Sequence, residues 1–271
     1  MNLTTIAEVR RPTSLDEIQG WHDGCSWLAG GTWLFSEPQV SVNTLIDLDS
    51  LGWAPLAVCA GGLEIAATCR IVDLHAFEGP AAWRAVPLFR QCIESFLMSF
   101  KIWNAATIGG NVCMALPAGA MISLTAALEG VCTLWPREGV PRDVSVVDFV
   151  TGNHQNVLRT GELLRSIHLP ASALSKRSAM RQVSLTRFGR SAALIIATAE
   201  DDGADFLLTV SAATPRPVQL RFAACPSAQE LRDALDDRLP PDAYFDDVHG
   251  SASYKRHVTR YLAEQIRTEL A

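Results

Sequence analysis

The sequence predicts an α+β protein organised as two domains, and three observations carry that expectation. A chain of 271 residues, 48% hydrophobic and 19% charged, is globular and long enough for one large domain or two ordinary ones. Apolar residues recur with period two in some stretches and with helical spacing in others, so both kinds of element are expected. A run of small and polar residues, Ala171-Ser172-Ala173-Leu174-Ser175-Lys176, marks a boundary between residues 1–172 and 173–271. Within the first part, subdomains of about 1–55 and 56–172 are expected.

Taken in order, Ser14 followed three residues on by Glu17 fits a helix capping box after the Arg11-Pro12-Thr13 turn. Ser26-Trp27-Leu28-Ala29 reads as a buried strand running into Gly30-Gly31-Thr32, and Thr44-Leu45-Ile46-Asp47-Leu48 as a second strand. Leu56, Val58 and Ala60, then Gly61-Gly62, then Leu63, Ile65 and Ala67 alternate with period two about a glycine turn, which is a β-hairpin signal. Helix is expected from Val72 through Met98, broken near Gly79-Pro80 and Pro87, and again from Met121 to Glu129. Strands are expected at Val131 to Trp135 and at Leu163 to Leu169. Past the boundary the pattern gives strands near Arg181 to Leu185, Phe206 to Ser211 and Val218 to Ala223, with a helix at Ser191 to Glu200 between the first two. Helices at Ala228 to Asp236 and Tyr254 to Glu269 complete the chain.

Composition excludes several functions. Only Lys101, Lys176 and Lys255 are lysines among 23 basic residues, and the net charge of −6 leaves no basic footprint for nucleic acid or anionic lipid. The longest apolar run, Ala192 to Ala199, is far short of the ~20 residues that span a bilayer. Arg10-Arg11 is followed by Pro-Thr-Ser-Leu-Asp-Glu rather than an apolar segment, so a cytoplasmic location is expected. The seven cysteines are odd in number and form no CxxC pair, which disfavours a disulfide framework, an iron–sulfur cluster or a zinc site held by this chain. The six histidines are scattered without ligand spacing, and no GxSxG, GxxxxGK, HExxH or GxGxxG motif is present.

Two glycine turns remain, Ala29-Gly30-Gly31-Thr32 and Thr107-Ile108-Gly109-Gly110-Asn111. Consecutive glycines let a ligand touch the backbone and can aim several main-chain N–H groups into one anion-binding concavity. Either turn alone reads more readily as plain chain reversal than as a phosphate seat. No Lys or Arg occurs between Pro12 and Cys69 or between Ile102 and Pro136, so a phosphate bound here is neutralised by amides. That suits the spread charge of a diphosphate cofactor better than a triphosphate needing Lys and Mg²⁺.

Leu28-Ala29-Gly30-Gly31-Thr32, Ile46-Asp47-Leu48, Gly62-Leu63-Glu64-Ile65-Ala66-Ala67 and Ala106-Thr107-Ile108-Gly109-Gly110-Asn111 resemble, in order and spacing, the FAD-binding subunit of molybdenum hydroxylases. This is the flavoprotein family of xanthine dehydrogenase and carbon monoxide dehydrogenase. The resemblance continues through Arg187-Phe188-Gly189-Arg190-Ser191-Ala192-Ala193-Leu194, Ala213-Thr214-Pro215-Arg216-Pro217-Val218 and Gly250-Ser251-Ala252-Ser253-Tyr254-Lys255-Arg256, and so covers almost the full chain. It implies a PCMH-type FAD-binding domain of two subdomains, followed by a small α/β C-terminal domain. It also implies that Leu28, Ala29, Gly30, Gly31, Thr32 and Trp33 hold the dinucleotide together with Ala106, Thr107, Ile108, Gly109, Gly110 and Asn111. Phe96 takes the place of a family aromatic contact, Leu164 of a leucine near the flavin, and Arg187 of a flavin-proximal lysine. No catalytic side chain and no metal ligand is expected.

The implied activity is electron transfer, with FAD in this chain and two [2Fe–2S] clusters and molybdopterin on an iron–sulfur subunit and a molybdopterin-binding subunit. NAD⁺, O₂ and a carrier stay open as terminal acceptors. Met114, Leu116 and Ala120 stand where the family has polar or acidic residues, and Trp103 where it has arginine. Restoring an acid at Ala120 is expected to tighten FAD binding if the carboxylate finds a donor. Two alternatives are a flavin-poor scaffold subunit of such a complex and a free-standing flavin oxidase with covalent FAD, for which Cys25 and Cys113 lie near the glycine turns. The positive mean hydropathy (+0.14) points to apolar surface kept for partners.

Overall fold

The computed structural model describes residues 4–18, 20–96, 98–187 and 189–271. Three sheets organise it. β1 (Glu8–Arg10), β2 (Cys25–Leu28) and β3 (Thr44–Asp47) form a parallel sheet with β3 in the middle. Central position explains why Thr44, Leu45 and Ile46 are all buried. The expected helix at Ser14 is a single 3-10 turn, Leu15–Glu17, closed by Thr13 donating its amide and hydroxyl to the Glu17 carboxylate rather than by a Ser14 cap.

β4 (Leu56–Cys59) and β5 (Gly62–Ala66) form the hairpin read from the alternation. Gly62, at φ +144, is required there because a Cβ would lie 2.0 Å from the Leu169 carbonyl oxygen. The hairpin belongs to a five-stranded antiparallel sheet with β6 (Val131–Trp135), β7 (Arg142–Ser145) and, at its centre, β10 (Leu163–Pro170). The helical region breaks at Gly79-Pro80 into α1 (Ile71–His75) and α2 (Pro87–Glu94), and is followed by α3 (Phe100–Trp103) and α4 (Ile108–Met114). α5 (Ala120–Ala127) is buried on every side. Such an all-apolar helix must lie between layers, and it packs against α2 on one side and the third sheet on the other. α6 (Val146–Phe149), with the small hairpin β8 (Val150–Gly152) and β9 (Gln155–Asn156), closes this part of the chain.

After α7 (Ala171–Ser175), the strands β11 (Arg177–Ser184), β12 (Ser191–Ala199), β13 (Ala204–Ser211) and β14 (Val218–Ala224) form an antiparallel meander. The segment expected to be a helix at Ser191 to Glu200 is therefore a strand. β12 is covered by α5 on one face and by α9 (Ala252–Leu270) on the other, and all nine of its residues are buried. A strand buried on both faces loses its alternation, and a continuous apolar run does not distinguish strand from helix. α8 (Ala228–Arg238) opens with a full capping box between Ser227 and Glu230.

Two ionic clusters tie the layers. Lys176, only 3% exposed, places Nζ 3.0 Å from Glu129 Oε1 and 2.6 Å from Asp205 Oδ2, and Arg221 bonds the same two carboxylates. Arg142 donates twice to Glu162, at 2.8 and 2.7 Å, while the Arg159 amide donates a third bond. The Lys176 ammonium holds Asp205, and the Arg142 guanidinium holds Glu162, below the ordinary carboxylate range. A depressed folded-state pKa adds stability above the unfolded value and loses it as pH falls through the folded one. Thermal melts are accordingly expected to be level near neutrality and to drop as pH falls through about 4 and below. Glu162→Gln is expected to lower the melting temperature at neutral pH and to flatten that acid-side slope.

Candidate functional site

A cleft of about 710 Å³ opens where the first parallel sheet, α4 and the third sheet meet. That size lies within the usual range of small-molecule sites, ~300–1,000 Å³. Ala29 to Leu34 leave the carboxyl end of β2, the end at which open parallel sheets commonly meet ligands. Gly31 takes φ +67, Phe35 donates its amide back to the Gly31 carbonyl at 2.8 Å, and Ser36 to that of Trp33. The reversal leaves the amides of Gly30, Gly31, Thr32, Trp33 and Leu34 without a hydrogen-bond acceptor among the described residues. Five such donors in succession at a cleft wall form a concavity suited to a diphosphate.

The second glycine motif plays a different part. It is the first turn of α4, capped by Thr107, and not an open loop. Its amides are already used: Ile108 donates to Cys69, Gly109 to Ala67, Gly110 to Thr107 Oγ1 and Asn111 to the Thr107 carbonyl. What it supplies is closeness. A Cβ on Gly109 would lie 2.5 Å from that of Ala67, and a Cβ on Gly30 would lie 1.8 Å from the Ala105 carbonyl oxygen. The two inner glycines dock the motifs onto their neighbours, while Gly31 and Gly110 form part of the cleft wall.

Leu28, Ala29, Gly30, Gly31, Thr32, Trp33, Phe96, Ala106, Thr107, Gly110 and Asn111 all line this cleft. Ile108 and Leu164 lie in the core behind it, and Gly109 is packed against Ala67. Arg187 is exposed in the turn before β12, outside the lining, and its neighbour Phe188 is outside the described residues. The cleft also takes residues that the sequence did not mark: Met98, Ile102, Asn153, His154, Arg190, Phe245, Asp247 and His249. Arg190 lies in a segment quoted for its family resemblance; the others carry no local signal, because the fold brings them in from separate elements. A smaller hollow of about 270 Å³ behind Gly30 is lined by the carboxylates of Asp47 and Asp49 against the single cation Arg70, 3.7 Å from Asp49, so its net charge is unfavourable to phosphate. The larger cleft is the better phosphate seat.

The positions that depart from the family pattern behave unequally. Met114 and Leu116 line the cleft, Trp103 packs on the core with its ring 5.1 Å from that of His75, and Ala120 is 1% exposed at the start of α5. The Met121 amide is already taken by Asn111 Oδ1 at 3.2 Å. Ala120→Asp would bury a carboxylate among apolar neighbours, so it is expected to lower the melting temperature without tightening FAD binding, as paired melts and FAD titrations would show. Burial pushes the Cys113 thiol up to about 12, leaving it protonated and a poor nucleophile towards a flavin. Among the described residues no group of three or more His, Cys, Asp or Glu is placed to hold a metal, and no helix is long and apolar enough to cross a membrane.

The family model described as the FAD binding domain in molybdopterin dehydrogenase matches residues 5–172. The caffeine dehydrogenase subunit beta of Pseudomonas sp. (strain CBB1) is 26% identical over 217 residues, which is 74% of this chain and 71% of that relative. Among solved structures, quinoline 2-oxidoreductase from Pseudomonas putida 86 superposes with a TM-score of 0.78 at 17% identity, over 100% of this chain and 98% of that one. Reconstituted CO dehydrogenase from Oligotropha carboxidovorans gives 0.78 at 18% identity over 96% of each chain. At those identities the structural likeness speaks for the fold alone.

Proposed function

The chain belongs to the family of FAD-binding domains of molybdopterin dehydrogenases, and from that premise we propose that it is the electron-transferring flavoprotein subunit of a molybdenum hydroxylase complex. The observation that carries the reading is the run of amides from Gly30 to Leu34, without an acceptor among the described residues, in a cleft that Gly110 of α4 also lines. The fit to a dinucleotide is good: amides take the diphosphate, the glycine surfaces of Gly31 and Gly110 admit its backbone, and Phe96, Met98 and Ile102 give an apolar wall for a planar ring. FAD, when bound, supplies the capacity to take up and release electrons singly or in pairs. The chain's own residues bind and orient it. Arg190, which lines the cleft just before β12, would offer a fixed positive charge to a bound ring system that gains electrons.

Electrons are proposed to enter from [2Fe–2S] clusters on an iron–sulfur subunit and to originate at a molybdopterin subunit. The absence of CxxC spacing supports assigning those groups to partners. NAD⁺, O₂ or a carrier would then receive them. The remaining Leu28-to-Trp33 and Ala106-to-Asn111 residues, with Phe96, complete the proposed flavin shell; Ile108, Gly109 and Leu164 act from behind the wall, and Arg187, outside the lining, is proposed near the flavin on the family resemblance alone. The protonated Cys113 weighs against a covalent flavin oxidase. A flavin-poor scaffold is the reading favoured by apolar Met114 and Leu116. Titration of the apo-chain with FAD separates them: saturable binding of dissociable flavin supports the proposal, and no binding by a folded chain leaves the scaffold. Co-expression with iron–sulfur and molybdopterin-binding subunits of such a complex should yield a stable assembly.

A further inference from the structure

Trp33 and His154 line the same cleft, and their rings lie 5.6 Å apart, tilted by 48°. They come from unrelated elements: Trp33 stands two residues after Gly31, and His154 sits at the turn between β8 and β9. His154 holds φ +55, a left-handed conformation that a histidine adopts at a cost. Its amide donates to the carbonyl of Ala115 at 3.0 Å, and Ala115 is itself left-handed, φ +50, at the end of α4. Two strained residues are thus bonded to one another, and the result is a histidine ring set against Trp33 at the mouth of the cleft. Trp33 is half-buried and His154 exposed, so one face of this bent aromatic platform stays open.

Resting on the reading of the cleft as an FAD site, we propose that Trp33 and His154 form the stacking platform for the adenine ring of the dinucleotide. Trp33 carries one of the amides of the diphosphate seat itself, so its ring lies at a short distance from that seat. That distance matches a base separated from the phosphates by one ribose more closely than a flavin separated by the longer ribityl chain. The chemistry of the walls agrees. Trp33, Leu34, Gln39 and Asn153 carry no charge, as suits a purine face, whereas the cleft's charged lining comes from other residues, Arg190 and Asp247.

The test is titration of the apo-chain with FAD, FMN and ADP in the parent, Trp33→Leu and His154→Gly; glycine adopts the left-handed backbone freely, so the second variant removes the ring without forcing the turn. The variants are expected to lose about 10- to 100-fold in FAD and ADP affinity and to keep the parent's FMN affinity. A parent that binds FAD while both folded variants lose nothing, or lose FMN and FAD alike, overturns the adenine assignment. A folded parent that binds neither FAD nor ADP overturns the flavin reading itself, and the platform with it.

Discussion

Replacing Gly31 or Gly110 by aspartate is expected to strip the chain of FAD while leaving it folded. Both glycines face the cleft. At Gly110 the nearest atom to a new Cβ is Thr107 Oγ1 at 2.9 Å, the tip of a side chain; at Gly31 it is the Phe35 ring at 2.6 Å, itself 44% exposed and free to shift. Aspartate also tolerates the left-handed backbone that Gly31 requires better than most residues. The new carboxylate would sit beside a diphosphate in a chain segment with no lysine or arginine to offset it. At an effective dielectric of about 20, two like charges ~4 Å apart repel by about 4 kcal/mol, which is more than a hundredfold in affinity. The ratio of flavin to protein absorbance after purification reads the loss, and an unchanged melting curve shows that the fold survived. Gly30→Ala and Gly109→Ala are the contrasting pair: there the clash is with backbone, and the melting temperature falls. Full flavin content in folded Gly110→Asp would remove this seat.

Asp247→Asn is expected to be the most destabilising polar substitution in the chain. Lys255 is wholly buried near the start of α9; its ammonium lies 2.9 Å from Asp247 Oδ1 and 5.2 Å from the centre of the Phe245 ring. The pair is held by charge, since Nζ makes no well-directed hydrogen bond. Removing the carboxylate leaves a buried cation without a counter-charge, at a cost of about 3–5 kcal/mol. For a chain of this size the melting temperature would fall by on the order of 10 °C. Lys255→Met should cost less, because Asp247 keeps 22% exposure and an amide bond from His249 at 2.8 Å. The double variant should recover most of the loss. If Asp247→Asn melts like the parent, the pair contributes no net stability.

What the sequence disclosed follows from how local each signal is. The hairpin at Gly61-Gly62, helix α5, the strand before Gly30 and helices α8 and α9 are set by short-range alternation, glycine and caps, and each was legible. β12 was not, because layers on both faces erase the alternation that marks a strand. The two glycine motifs look alike in sequence, and only hydrogen-bond accounting shows that one leaves its amides free while the other consumes them. His154 carries no local signal because its partner, Trp33, is 5.6 Å away in space but distant along the chain. Asp247 and Phe245 likewise reach the cleft only once the third sheet has brought the C-terminal part back onto α5.

Gly30 resting on Ala105 has a bearing on biogenesis. Neither surface of that contact can shape the other until both have emerged from the ribosome. The wall carrying Phe245, Asp247 and His249 is translated later still, more than a hundred residues after Ala105. A chain stopped before Phe245 is therefore expected to lack one wall of the cleft and to hold flavin less tightly. Bound FAD then reports on a closed cleft: chains truncated before Phe245 should purify paler than chains that carry it.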